Sequence, residues 1–127
     1  MSAERPLSGK RVLIVEDEAL VAMLLEDMLA EIGCEVVGSV SRIEEGVASA
    51  GTVAADLAVL DVNVAGQPVF PVAEALSARG IPFVFATGYG PAGLPDEWKG
   101  RPTVQKPFSL AEVERCLSSA LRAGAAD

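Results

Sequence analysis

Five polar or charged residues of this sequence stand directly after short predicted strands, where each could take part in chemistry. They are two adjacent carboxylates, a third carboxylate, a hydroxyl and an ammonium: Glu16, Asp17, Asp61, Thr87 and Lys106. Ligands of parallel α/β sheets bind beyond the carboxyl ends of the strands. We therefore expect these five side chains to converge at one edge of a sheet.

Carboxylates that converge in this way repel one another unless a cation lies among them or one of them keeps its proton. The chain has no histidine, and the set has no thiolate, so its candidate metal ligands are oxygens. Oxygen ligands favour a hard divalent ion, and Mg²⁺ would keep several waters and await a phosphoryl oxygen. Lys106 would supply a positive charge for that phosphoryl group, and Thr87 a hydroxyl donor. The set suits an acyl phosphate formed on a carboxylate.

The apolar pattern predicts the strands that position these residues. The clearest are the runs Val-Leu-Ile-Val at 12–15 and Leu-Ala-Val-Leu at 57–60, each of which ends at an acidic residue. Runs of this kind are typical of strands that are buried on both faces of a sheet. The predicted strands cover residues 12–15, 36–40, 56–60, 81–86 and 102–105.

Helical spacing fills most of the intervals between these strands. Apolar residues recur from Leu20 through Leu24 to Ile32 before Gly33, which predicts an amphipathic helix with this stripe in the core. Serines 41 and 109 each precede a glutamate by three residues, a spacing typical of helix capping boxes. A third helix is predicted from about residue 69 to Gly80.

The alternation of strands and helices predicts an α/β fold with a doubly wound, five-stranded parallel sheet, because parallel neighbours need crossover connections. Seven Gly or Pro residues between positions 88 and 102 leave room for only a degenerate fourth helix. The expected organisation is an N-terminal extension at 1–10, one domain at 11–122 and a flexible tail at 123–127.

Composition narrows the class of protein further. The 127 residues suit one domain, and a formal charge of −8 makes nucleic acid an unfavourable partner. Cys34 and Cys116 are too few and too far apart for a disulfide framework. No apolar run approaches the ~18 residues of a membrane span, so we expect a cytoplasmic protein without a membrane partner. Trp98 could anchor an interface or pack within its own loop.

Over residues 11 to about 122, these features together resemble the receiver domain of two-component response regulators. The segment 82–89 reads Pro-Phe-Val-Phe-Ala-Thr-Gly-Tyr, and residues 105–108 read Gln-Lys-Pro-Phe. Both are similar to the FAT GUY subgroup of receivers. The resemblance implies a flavodoxin-like fold with strand order 2-1-3-4-5. It also implies a domain that stands alone and pairs with histidine kinases of the HWE type.

The resemblance implies a role for each candidate residue. Asp61 would be the phosphoacceptor, and Thr87 and Lys106 would contact the phosphoryl group. The implied Mg²⁺ ligands are Glu16 through water, Asp17 directly, Asp61, and Asn63 through its backbone carbonyl.

Two positions depart from the usual receiver pattern. The Met-Pro that commonly follows the phosphoacceptor is absent, since residues 62–68 read Val-Asn-Val-Ala-Gly-Gln-Pro. The aromatic switch residue expected three positions before the lysine is Thr103. Tyr89, two residues after Thr87, is the available substitute, so we expect the switch to involve Thr87, Tyr89 and Thr103.

The resulting hypothesis is a response regulator that accepts a phosphoryl group on Asp61 with Mg²⁺. Because the chain has no histidine, the phosphohistidine must belong to a partner, either a sensor histidine kinase or a phosphotransfer protein. The signal would leave through altered protein contacts, or the domain would act as a phosphate shuttle or sink. A monomer is expected, and catalysis would be limited to the domain's own phosphorylation and dephosphorylation.

Two other classes of protein match part of this pattern. Residues 88–93 satisfy the G-x-G-x-x-G pattern of dinucleotide-binding proteins, but the prolines that follow leave no adequate helix to receive a pyrophosphate. An aspartyl-phosphate phosphatase or phosphotransferase of the haloacid dehalogenase type would need a second carboxylate two residues after its nucleophile. That position is Asn63, which cannot shuttle a proton.

Overall fold

Five strands form one parallel sheet in the computed structural model of the protein, which describes residues 7–88 and 94–125. The strands within these described residues are β1 (Arg11–Val15), β2 (Glu35–Val40), β3 (Leu57–Asp61), β4 (Asn63–Val64), β5 (Gln67–Pro68), β6 (Phe83–Thr87) and β7 (Thr103–Gln105). The large sheet has the order β2-β1-β3-β6-β7, while β4 and β5 pair with each other as an antiparallel hairpin. The predicted order 2-1-3-4-5 is confirmed, since the hairpin does not enter the large sheet.

Helices cover both faces of the sheet. They are α1 (Ala19–Ile32), α2 (Ile43–Thr52), α3 (Phe70–Ala78) and α4 (Leu110–Ala125). Buried residues of α1 and α4 pack on one face, and those of α2 and α3 pack on the other. Each central strand therefore divides its side chains between two core layers. On β1, for example, Leu13 and Val15 enter one layer, and Val12 and Ile14 enter the other.

No α-helix lies between β6 and β7 within the described residues 94–102, which contain a single 3-10 turn at Asp96–Trp98. Aromatic rings pack beside this connection, in the core layer of α2 and α3. Trp98 is buried, stacks on Phe70 of α3 and meets the rings of Phe83 and Phe85 of β6 at interplanar angles of 58° and 81°. The indole therefore packs within its own domain, and it supports the strand that ends at Thr87.

The predicted buried stripe of α1 is wrong at Leu20 and Leu24, although its last residue, Ile32, is buried. Its core side chains are Ala22, Leu25, Leu29 and Ile32. Leu20 and Leu24 are instead 80% and 44% exposed. Neighbouring residues of a helix differ by about 100° in direction, so a stripe through Leu25 turns Leu24 away from the sheet. The first half of α1 is apolar on several sides, and spacing alone could not select the face that packs.

The two predicted capping boxes have different outcomes. Ahead of α4, the backbone N–H of Glu112 donates to Oγ of Ser109 at 3.2 Å, as predicted. Ahead of α2, the capping position belongs to Arg42, and no side chain caps the helix. Because α2 begins at Ile43, Ser41 lies one residue too early for its hydroxyl to act as the cap. Gly33 ends α1 in the left-handed conformation, as predicted.

Residues 7–10, which precede β1, belong to the packed structure. Leu7 is 1% exposed and joins the core layer of α1 and α4. The backbone N–H of Gly9 donates to the carbonyl of Gly33 at 2.8 Å. At the other end, α4 continues to Ala125, within the stretch that the sequence assigned to a tail. Among the described residues, no helix combines the length and apolar character that a membrane span requires.

Candidate functional site

The carboxyl ends of the strands bring the five predicted site residues to one edge of the sheet. Glu16 follows β1 directly, Asp61 ends β3, Thr87 ends β6 and Lys106 follows β7. The parallel register aligns these ends, because Asp61 lies opposite Ala86 and Thr87 lies opposite Gln105. The convergence expected from the strand pattern is present in the structure.

Three carboxylates and one ammonium form the centre of this site. Single oxygens of Glu16, Asp17 and Asp61 all lie within 4.8 Å of one another. Nζ of Lys106 lies 3.2 Å from Oδ2 of Asp61 and 3.3 Å from Oε1 of Glu16. Glu16 and Asp61 are buried, at 3% and 7% exposed, whereas Asp17 faces solvent. The site is therefore a buried acidic pocket that opens to solvent beside Asp17.

Backbone groups orient the two buried carboxylates. The N–H of Glu18 donates to Oε2 of Glu16 at 3.0 Å, and the N–H of Asn63 donates to Oδ1 of Asp61 at 3.3 Å. The N–H of Lys106 donates to the carbonyl of Thr87 at 2.9 Å. Sequence reasoning assigned Asn63 only a carbonyl role and gave Glu18 none. For Asp61 the available signal was the spacing, because an Asp side chain commonly accepts a hydrogen bond from the backbone two residues on.

The charges of the pocket are unbalanced. Burial is the largest cause that raises the pKa of Glu16 to about 7, and the charge of Asp61 also raises it. The hydrogen bond from the Glu18 backbone acts in the opposite direction and lowers this pKa. Burial opposes the charged form of Lys106, but the Asp61 and Glu16 carboxylates outweigh it and raise the Lys106 pKa. One ammonium among three carboxylates leaves net negative charge in a partly desolvated place. A divalent cation with oxygen ligands fits this donor set.

The raised Glu16 pKa predicts a pH-dependent stability in metal-free buffer. The folded protein holds the Glu16 proton up to about pH 7, whereas the unfolded chain releases it near 4.5. The free energy of unfolding therefore falls as the pH rises through this window and stays low above it. Glu16→Gln should be more stable than the wild type at pH 8, by at most about 3 kcal/mol, and this gain should shrink toward pH 4.5.

Urea unfolding across this pH range, with a chelator present, measures the effect. Glu45→Gln removes the same charge from an exposed position on α2 and serves as the matched control. A Glu16→Gln variant whose stability parallels the wild type at every pH would contradict the assignment.

The predicted switch residues are only partly described. Tyr89 lies outside the described residues. Thr87 is 6% exposed at the pocket. Thr103 lies on β7, where its hydroxyl donates to the carbonyl of Arg101 at 3.0 Å. The hydroxyl of Thr103 thus has a backbone partner nearby in the chain. Because residue 103 is a threonine, this position supplies no aromatic ring for a switch.

The geometry bears on the two rival functions. Residues 89–93 of the G-x-G-x-x-G pattern lie outside the described residues, and the 3-10 turn at Asp96–Trp98 is too short to serve as the helix of a dinucleotide site. The position two residues after Asp61 holds the exposed Asn63, which has no acid-base side chain.

Solved structures resemble most of this chain. SdrG from Sphingomonas melonis Fr1 is 43% identical with a TM-score of 0.80, over 89% of this chain and 97% of SdrG. The PhyR response regulator REC domain from Erythrobacter litoralis is 27% identical with a TM-score of 0.77, over 91% of this chain and 92% of that domain. The chain is a response regulator receiver domain. No family model matches it.

Longer proteins contain regions similar to this receiver. The transcriptional regulatory protein PdtaR from Mycobacterium tuberculosis is 32% identical over 108 residues, which cover 82% of this chain and 53% of PdtaR. The phyllosphere-induced regulator PhyR from Methylorubrum extorquens is 31% identical over 118 residues, which cover 87% of this chain and 43% of PhyR. The receiver spans about half the length of these curated relatives.

Proposed function

We propose that this receiver accepts a phosphoryl group on Asp61 from a phosphohistidine, with Mg²⁺ in the acidic pocket. The observation that carries the proposal is the placement of the Asp61 carboxylate. It lies against Nζ of Lys106 on one oxygen and against the N–H of Asn63 on the other, beside Glu16 and Asp17. A structure described as the BeF₃-activated conformation of SdrG, at 43% identity, also supports it.

Residues of this chain supply the nucleophile and the groups that bind the phosphoryl oxygens. An Asp61 oxygen bonds to phosphorus while the bond from phosphorus to the donor imidazole nitrogen breaks, and its electron pair stays on the imidazole. The Lys106 ammonium and the Thr87 hydroxyl bind the phosphoryl oxygens and position the group. Mg²⁺, held by Glu16, Asp17, Asp61 and the Asn63 carbonyl, would offset charge on those oxygens.

The phosphohistidine must come from another protein, because the chain has no histidine. The start of α1 offers an apolar surface beside the pocket, since Leu20 is only three residues beyond Asp17. Leu20, Met23 and Leu24 are 80%, 57% and 44% exposed, and Met23 and Leu24 both lie about one turn beyond Leu20 on the helix. We propose that the histidine-bearing partner, a kinase of the HWE type or a phosphotransfer protein, docks on this α1 surface.

Leu20→Glu should slow phosphoryl transfer from a phosphorylated histidine protein about tenfold or more. The substitution places a charge in the proposed interface, and the exposed position should leave folding unchanged. Phosphorylation by a small acyl phosphate should stay at the wild-type rate, because that donor needs no docking surface. Single-turnover transfer followed on gels measures the first rate, and intact mass measures the second.

Val47→Glu is the matched control for this prediction. Val47 is 38% exposed on α2, which covers the opposite face of the sheet. Equal losses of transfer rate in the two variants would show that the partner does not dock on the α1 surface. A slower reaction of Leu20→Glu with the small donor would do the same.

Phosphorylation then acts through protein contacts, or the domain works as a phosphate shuttle or sink. Thr87 is the residue through which the phosphoryl group would reach β6, because it is buried at the pocket and ends that strand. Phe85 of β6 contacts the rings of Phe70, Phe83 and Trp98. These contacts would carry a displacement of β6 toward the β6–β7 connection.

Intact mass spectrometry tests the proposed function. After incubation with Mg²⁺ and a small acyl phosphate, the protein should gain the mass of one phosphoryl group, and a chelator should prevent this gain. A protein that stays unmodified at saturating Mg²⁺ would overturn the proposal.

A further inference from the structure

The β4–β5 hairpin begins two residues after Asp61 and was not foreseen from the sequence. Asn63 pairs with Pro68, and Val64 pairs with Gln67. The two residues at its tip, Ala65 and Gly66, have φ values of 52° and 82°. Positive φ at both tip residues is the signature of the tight two-residue turn that matches the twist of a hairpin.

Two contacts hold this hairpin to the body of the domain, and a third closes its loop. The N–H of Val62 donates to the carbonyl of Ala86 at 3.1 Å, which continues the pairing of β3 with β6 by one residue. The N–H of Val69 donates to the carbonyl of Val62 at 3.0 Å and closes the loop. Val64 is fully buried in the core layer of α2 and α3. The backbone from Asp61 to Val64 is therefore held at both ends.

The residue between these attachments contacts the carboxylate directly. The N–H of Asn63 donates to Oδ1 of Asp61, and Nζ of Lys106 donates to Oδ2 from the other side. The Asn63 side chain is exposed, so its backbone makes this contact. Moving the hairpin would release one of the two groups that fix the plane of the Asp61 carboxylate.

We propose that the hairpin is a positioning device, in which Gly66 and Val64 set the orientation of Asp61 through the Asn63 backbone. This inference rests on the proposed phosphoryl transfer to Asp61. In-line attack depends on the direction of the carboxylate oxygen, and a misplacement of about 1 Å can cost about 100-fold in rate. The backbone conformation of an exposed turn would in this way control a reaction at a buried oxygen.

Gly66→Val is the variant that tests the device. A Cβ at Gly66 meets no atom within 4 Å, so the substitution acts through the backbone, where a β-branched residue disfavours a φ of 82°. Gly80→Val is the matched control, since Gly80 has a φ of 71° and open space but lies beyond α3, ahead of β6. Gly66→Asn is the rescue, because asparagine tolerates the left-handed region.

Phosphorylation by a small acyl phosphate should slow about tenfold or more in Gly66→Val, while Gly80→Val keeps the wild-type rate and Gly66→Asn recovers most of it. Amide hydrogen exchange at Asn63, measured without Mg²⁺ or phosphate, should accelerate only in Gly66→Val. Equal slowing in both valine variants, or a protected Asn63 with an unchanged rate in Gly66→Val, would overturn the inference. A wild type that takes no phosphate would instead overturn the proposed function, and the Asn63 exchange would still report on the hairpin.

Discussion

Asp61→Asn should reduce phosphorylation of the receiver to background, a loss of more than about 100-fold. The amide has the shape of the carboxylate but is a poor nucleophile, so it forms no acyl phosphate with the donor. Asp61 is 7% exposed and already crowded by Glu16 and Asp17, and removing its charge should leave the fold intact. Intact mass after incubation with Mg²⁺ and a small acyl phosphate measures the outcome.

Asp56→Asn is the matched control for this variant. Asp56 precedes the other end of β3, where it pairs with Arg11 at 3.2 Å and receives the Arg11 backbone N–H. Losing that exposed ion pair should cost little stability and leave phosphorylation at the wild-type level. A phosphorylated Asp61→Asn protein would place the acceptor elsewhere in the chain.

Saturating Mg²⁺ should raise the melting temperature of the wild type, with about 2.7 kcal/mol of stabilisation at a 100-fold excess over Kd. The gain is expected because the cation relieves the repulsion among Glu16, Asp17 and Asp61, which the Lys106 ammonium offsets only in part. Asp17→Asn should lose most of this gain, since Asp17 is the solvent-facing carboxylate of the pocket. Thermal unfolding at increasing Mg²⁺ concentrations measures both proteins.

Asp27→Asn removes a similarly exposed carboxylate from α1 and should keep the full Mg²⁺ effect. If the wild type and Asp17→Asn respond equally to Mg²⁺, the cation does not bind in this pocket. Calcium at the same concentration provides a second comparison, because Ca²⁺ takes more oxygen ligands at longer distances than Mg²⁺ does.

Much of the fold was predictable from the sequence because its signals are local. A strand such as β1 contains a run of β-branched and leucine residues that Glu16 follows directly, and the end of α1 is marked by Gly33 in the left-handed conformation. The edge where Glu16, Asp61 and Lys106 meet followed from the parallel crossovers alone. The sequence thus determined the sheet, its polarity and the membership of the pocket.

Only the tertiary structure decided which α1 side chains face the sheet, and how the residues after Asp61 fold. Leu24 and Leu25 are equally apolar, and the contact of Leu25 with the sheet selects between them. The hairpin after Asp61 depends on the burial of Val64 in a core layer built from distant segments. The raised Glu16 pKa likewise needs Asp61 and the surrounding atoms. These properties arise from contacts between residues far apart in the chain, which local periodicity does not encode.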